Sequence, residues 1–263
     1  MSLKVFAVLK KRLVGVVTVR KGWAVQSFGY RQYLPLGRPE LLVENLDRWG
    51  ADEILLQCID RSQHNAGPDL ALLERVSRRG LATPLIYAGG VRNADDAIAV
   101  VKTGADRVCV DSVLHESPIT LQTLAKKLGA QAIIASLPLS IAEVGEPLWL
   151  DYRSGHQQVL TPEVVEFLDS GFVSEVLIID WVHEGMPAAF DSGLVTRFPA
   201  TNIPLIAFGG LSEASQMRHL LQEARVSAVA VGNALNYREH NISKLKAALI
   251  EQPLRPHLIH CSR

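Results

Sequence analysis

An eight-stranded parallel α/β barrel made of two half-barrels is the fold class this 263-residue sequence predicts, on three ordered internal repeats. Thr83-Pro84-Leu85-Ile86-Tyr87-Ala88-Gly89-Gly90 recurs as Ile203-Pro204-Leu205-Ile206-Ala207-Phe208-Gly209-Gly210. Glu53-Ile54-Leu55-Leu56 recurs as Glu175-Val176-Leu177-Ile178, and Val108-Cys109-Val110-Asp111-Ser112 as Ala228-Val229-Ala230-Val231-Gly232-Asn233. Each pair is separated by about 120 residues, close to half the chain. Each half reads as strands followed by helices, with a Gly-Gly turn after a short apolar strand. Two such halves close a (β/α)8 barrel, whose strand ends and following loops form one active face. The alternative, chance likeness between βα units of any α/β protein, needs three coincidences in order at one offset.

The elements follow in order. Leu13 to Val19 is an apolar, β-branched run and the first barrel strand; Lys21-Gly22 turns the chain, and Trp23 to Phe28 starts a short hairpin. Gly37-Arg38-Pro39-Glu40 opens a helix with proline in its first turn and an acid to match the dipole, running from Leu41 to Trp49 and stopping at Gly50. Strand Glu53 to Ile59, helix Asp69 to Arg79, strand Pro84 to Tyr87, helix Ala94 to Thr103 and strand Arg107 to Val110 repeat the cycle. Helix Ile119 to Leu128 ends at Gly129, and Ala132 to Leu137 is the fifth strand. Ser140 to Leu160 reads as a hairpin lid turning about Ser154-Gly155, after which Thr161-Pro162-Glu163 caps a helix. Strands six, seven and eight start near Glu175, Pro204 and Ala228, and Ser243 to Glu251 is the last helix. The expectation is one domain over 1–263, with half-barrels at about 11–130 and 131–251.

Composition narrows function by exclusion. Hydrophobic residues make up 48% of the chain, ample for one buried core, and 27 basic residues balance 27 acidic ones. No basic footprint for nucleic acid or an anionic membrane is present. The apolar run near the N-terminus is too short for a signal peptide and no run is long enough to span a membrane, so a cytoplasmic protein is expected. Cys58, Cys109 and Cys261 lack metal-ligand spacing, and Cys58 and Cys109 sit in apolar strands as small core residues. Neither a metal nor a cofactor is expected.

The glycine turns carry the first chemical signal. Backbone N–H groups after strands seven and eight of such a barrel commonly hold a phosphate, and Gly209, Gly210, Gly232 and Asn233 fit that site. By internal symmetry Gly89, Gly90 and Ser112 form a second candidate, weakened by the anionic Asp111 beside it. The competing reading is tight turns that need positive φ or close backbone approach.

At these residues the chain resembles the cyclase subunit of imidazole glycerol phosphate synthase, the HisF family. Lys11-Arg12-Leu13-Val14-Gly15-Val16-Val17-Thr18-Val19-Arg20-Lys21-Gly22 follows the family's opening strand, and Gly37-Arg38-Pro39 its Gly-Asp-Pro. Gly50-Ala51-Asp52-Glu53, Ala88-Gly89-Gly90-Val91-Arg92, Gly104-Ala105-Asp106-Arg107-Val108 and Gly129-Ala130-Gln131 match further motifs in the same order. The likeness covers the whole chain apart from about ten N-terminal residues, and it implies a phosphorylated ligand and a glutaminase (HisH-like) partner subunit.

The resemblance also implies two catalytic carboxylates, ending strands one and five, that act as general acid and base on a bis-phosphorylated substrate. This chain has Thr18 and Pro138 there, and neither exchanges a proton near neutral pH. A slipped register at strand one would bring Leu9 or Lys10, which supplies no carboxylate either. The family's loop lysine near strand one becomes Gln26. Cyclisation is therefore expected to be absent or very weak. Replacement acids are available in Asp60, Asp111 and Asp180, near the ends of even-numbered strands; His64 and His183 lie in equivalent loops and read as solvated.

By the same resemblance Arg12, Glu53, Arg107 and Glu175 correspond to four charged residues that gate ammonia at the barrel floor, all signs kept. The competing reading is a structural ion ring that plugs the floor. Three functions stay open. The first is a HisF-like subunit that handles ammonia with a glutaminase for sugar amidation in surface-polysaccharide synthesis, cyclisation lost. The others are a cyclase with a rebuilt acid–base pair and a non-catalytic scaffold that activates a glutaminase.

Overall fold

The computed structural model describes residues 10–256 except 117, 144, 200 and 238; residues 1–9, Leu9 among them, and Cys261 lie outside the described residues. The strand β1 (Arg12–Arg20) runs into a hairpin of β2 (Trp23–Phe28) and β3 (Gln32–Gly37), followed by α1 (Pro39–Arg48). The remaining first half is β4 (Glu53–Cys58), α2 (Leu70–Ser77), β5 (Leu85–Ala88), α3 (Ala94–Thr103), β6 (Arg107–Val110), α4 (Ser112–Glu116) and α5 (Pro118–Leu128). The second half is β7 (Ile133–Ile141), the hairpin β8 (Pro147–Leu150) and β9 (Gln157–Val159), α6 (Pro162–Asp169), β10 (Glu175–Asp180), α7 (Gly193–Thr196), β11 (Leu205–Phe208), α8 (Ala214–Gln222), β12 (Val226–Val231) and α9 (Asn241–Ala248).

Eight of these strands close a parallel barrel in the order β1, β4, β5, β6, β7, β10, β11, β12, with β12 returning to β1 through the pairs Arg12↔Ala228 to Gly15↔Val231. Alternation along each strand sorts side chains between two cores. Val14, Val16, Leu55, Ile134, Leu177 and Ile206 point into the barrel. Leu13, Val17, Ile54, Leu56, Val176 and Ile178 point outward under the helices.

Local chemistry sets the helix limits. Asn93 caps α3 by accepting from Asp96 N–H at 2.9 Å, and Asp69 caps α2 by accepting from Leu72 N–H at 3.0 Å. Thr161 does precede α6, but its side chain makes no cap bond to the helix backbone, contrary to the sequence expectation. It bonds the Glu163 carboxylate instead and holds that acid below its usual range.

Strand five is longer than predicted because β8 pairs with its end through Leu139↔Trp149 and Ser140↔Leu148. Pro138 is tolerated inside β7 because β6 pairs only as far as Ala135, which leaves no ladder bond for the missing N–H on that side. The short α4, unforeseen in the sequence, docks the lid: His115 stacks on the fully buried Trp149 with ring centroids 3.6 Å apart.

Candidate functional site

Glu53, Arg107 and Glu175 are the first residues of β4, β6 and β10, and Arg12 is the first of β1. The structure brings all four together at the N-terminal end of the barrel, Arg12, Glu53 and Glu175 buried and Arg107 partly so. Arg12 donates to both Glu53 oxygens at 2.9 and 3.0 Å and also to Glu175. Arg107 closes the ring, 2.7 Å from Glu175 and 3.6 Å from Glu53. Burial alone would push the Glu175 carboxyl up, but the charges of Arg12 and Arg107 outweigh it and hold the group below its ordinary value.

Two serines complete the ring, and sequence reasoning missed both. Ser227 donates to Glu175 and accepts from Arg12 at 3.1 Å, while Ser174 accepts from Arg107 at 2.6 Å. The signal was present: Ser227 precedes Ala228 as Arg107 precedes Val108 in the repeat, and Ser174 directly precedes Glu175.

Above the ring lies an apolar layer to which each barrel strand gives one side chain, Val14, Leu55, Cys109 and Ala230 among them. It encloses a void of about 10 Å³, near the smallest space that admits one water-sized molecule. Cys109 also lines the larger chamber above, about 150 Å³ at the barrel mouth. Burial pushes the Cys58 and Cys109 thiols up to about 12, so neither is a nucleophile.

The degenerate positions face this mouth without an acid. Thr18 shares the inward parity of Val14 and Val16 and pairs with Gln57; Pro138 pairs with Ile179 and lines a small hollow beside Asp111. Gln26 is buried. Of the three replacement acids only Asp111 lines the chamber. Asp60 accepts from Lys21 N–H at 2.8 Å and so fixes the turn after β1. Asp180 has the outward parity of Ile178 and is buried, holding His183 N–H, His183 Nδ1 and Asp191 N–H. Asp60 and Asp180 therefore serve as loop anchors near the ends of their strands. His64 is exposed as expected, whereas His183 is docked on Asp180.

The glycine turns divide by half. A Cβ on Gly89 would lie 2.2 Å from the Cys58 carbonyl oxygen and one on Gly209 would lie 2.4 Å from that of Asp180, so close approach explains both. Gly232 differs, with φ −110°, outside the left-handed region, and a Cβ there would meet nothing nearer than 3.5 Å. In the first half the anion donors are spent within the protein. Gly90 N–H donates to Ser62 Oγ at 3.1 Å, and Ser112 N–H donates to Asp111 at 2.5 Å. Two of the donors of the expected first-half phosphate site thus have partners within the protein.

In the second half a cavity of about 400 Å³ opens beside Gly210, Ser212, Gly232 and Asn233. The N-terminus of α8 reaches it with no side-chain cap on its free N–H groups. The Asn233 side chain is not available to a ligand, since it clasps the Ser27 backbone through both ends, 3.2 and 2.6 Å. A cation not foreseen in the sequence, Lys244 of α9, lines the same cavity.

A closed (β/α)8 barrel with a charged floor ring, an apolar inner layer and an open cavity after strands seven and eight defines the class of (β/α)8 barrels whose strand-end face carries the ligand sites. The sequence comparisons then fix the family. The profile described as histidine biosynthesis protein matches residues 12–241, and the chain belongs to that family, in its HisF group. It is 28% identical over 247 residues to imidazole glycerol phosphate synthase subunit HisF of Hyphomonas neptunium, covering 92% of this chain and 96% of that one. It is 27% identical over 248 residues to a Vibrio vulnificus protein provisionally named imidazole glycerol phosphate synthase subunit hisF2, covering 93% and 90%. No helix among the described residues is long and apolar enough to cross a membrane.

Proposed function

We propose that this protein is a HisF-like barrel subunit that pairs with a glutamine amidotransferase, admits ammonia through its floor ring, and no longer cyclises. The observation that carries the reading is the complete ring of Arg12, Glu53, Arg107 and Glu175 beneath a mouth with Thr18 and Pro138. Replacing a buried ion pair by well-packed apolar residues is often neutral or stabilising by about 1–4 kcal/mol, so these charges held only as a plug would be a costly choice over apolar packing. A gate needs charges that can part and re-pair, and the two serines supply alternative partners while they do.

Ammonia then crosses the apolar layer, where a neutral molecule passes and an ion is disfavoured. With Asp111 the one acid among the described residues that line the chamber, the general acid–base pair of a cyclase is incomplete, which counts against a rebuilt cyclase. The ammonia serves a separate acceptor; amidation of a sugar by an ATP-using transferase in surface-polysaccharide synthesis is the setting that fits, in the cytoplasm. A phosphorylated small molecule sits in the second-half cavity.

The test mixes the purified barrel with a HisH-type glutaminase. Stimulated glutamine hydrolysis, with no imidazole glycerol phosphate formed from the cyclase substrate and ammonia, supports the reading. Absence of any stimulation overturns it.

A further inference from the structure

The mouth chamber has the wrong charge for a phosphorylated occupant. Among the described residues that line it there is no lysine, arginine or histidine. The one acidic side chain among those described lining residues is Asp111, partly exposed just after β6, whose Oδ1 takes Ser112 N–H while Ser62 Oγ stands 3.5 Å away. Above it the rings of Tyr30 and Tyr152 meet edge to face with centroids 5.3 Å apart. Burial holds both phenols well above their ordinary range, so they line the chamber as neutral aromatic rings. The Tyr152 hydroxyl is itself buried, with the Tyr30 phenol as its polar neighbour. A third ring at the rim, Tyr33, already carries a cation on its face, the Arg20 guanidinium at 4.4 Å from the centroid.

We propose that this chamber binds a small organic cation, a primary ammonium, with Asp111 as its counter-ion and Tyr30 and Tyr152 as its walls. Aromatic faces attract cations through the ring quadrupole, most strongly where water is excluded, and a carboxylate adds the direct charge. A primary ammonium brings three N–H donors. Asp111 and Ser136 offer acceptors around one space of about 150 Å³ walled by Tyr30 and Tyr152, which suits a short-chain amine and not a sugar phosphate. The proposal rests on the reading above only in that no phosphorylated cyclase substrate competes for the mouth.

The test is ligand-observed saturation-transfer NMR on the purified barrel, with propylammonium chloride as probe and sodium chloride at equal ionic strength as reference. The expected result is saturable transfer that sodium phosphate does not displace. Asp111→Asn keeps the acceptor for Ser112 N–H yet loses the charge, and should weaken binding by about tenfold. Ser136→Leu should abolish binding by filling the chamber, with an unfolding midpoint close to wild type showing that the barrel is intact. No saturable transfer, an unchanged affinity in Asp111→Asn, or displacement by phosphate would each overturn the proposal. Glutaminase stimulation measured on the same preparation separates the two readings: its persistence without cation binding fells this proposal alone, and its loss with cation binding retained fells the subunit reading alone.

Discussion

Tyr30 and Tyr152 occupy equivalent places in the two half-barrels, each in the turn of the hairpin that follows a nine-residue strand, and their rings meet across the mouth at 5.3 Å. Their separation of about 120 residues is the one that relates Glu53 to Glu175 at the floor. The same internal symmetry therefore supplies both ends of the barrel axis: an aromatic pair above, and an acid pair below bridged by Arg12 and Arg107.

Cyclisation provides the first check. The purified barrel, given the cyclase substrate and ammonia, should form no measurable imidazole glycerol phosphate. A positioned acid or base contributes roughly 10²–10⁴-fold, and Thr18 and Pro138 supply neither. Turnover comparable to an ordinary two-carboxylate cyclase would refute the claim.

Phosphate should bind in the second half and not the first. Inorganic phosphate should raise the unfolding midpoint of the wild-type barrel, and Lys244→Ala should weaken that effect several-fold, since Lys244 lines the cavity at the open α8 N-terminus. Ser62→Ala, which frees Gly90 N–H in the first half, should leave it unchanged because Asp111 still repels an anion there. A midpoint insensitive to Lys244→Ala would place the anion elsewhere.

Much of this was legible from residue order, because strand periodicity and repeats are local properties. The repeats located the barrel strands within a few residues, and the charge signs of Arg12, Glu53, Arg107 and Glu175 survived as a closed ring. What the sequence concealed depends on partners distant in the chain. Nothing local to Gly90 says that Ser62 fills its N–H, nor does the sequence around Asp180 reveal that it faces outward to hold His183 and Asp191. Lys244 escaped notice because its helix reaches the cavity only through the closure of β12 on β1.

Glu184 makes stability fall as pH rises. Its buried carboxyl accepts from Ser27 Oγ at 2.9 Å and Tyr30 N–H at 3.3 Å, tying the loop after β10 to the β2–β3 hairpin; burial still raises it above its ordinary value. A carboxyl raised on folding holds its proton more tightly in the folded state. Its contribution is complete below the unfolded value and is lost as pH rises through the folded one. Wild type should therefore lose stability relative to Glu184→Gln as pH rises through and above the normal carboxylate range, measured by denaturant unfolding at each pH. Parallel curves would show that the group does not titrate as its burial requires.

The floor ring gives the decisive experiment. Glu175→Ala leaves Arg12 and Arg107 buried with Glu53 as their only shared acid, and should cost about 3 kcal/mol in unfolding free energy. Glu175 itself is held below its ordinary value, so its contribution is present above the unfolded carboxyl value and lost as pH falls through the folded one; the variant should lack that acid-side loss. Stability alone does not separate a plug from a gate. A gate adds a second effect: in complex with a glutaminase, the variant should hydrolyse glutamine while less of the ammonia reaches the acceptor enzyme, the remainder escaping to solvent. A plug predicts the same stability loss with the ratio of ammonia used to glutamine hydrolysed unchanged in the folded fraction. Glu175→Gln discriminates further, because it keeps the shape and the Ser227 bond while removing the charge. Coupling lost in both variants identifies charge as the gating element, whereas coupling kept in both reduces the ring to a structural plug.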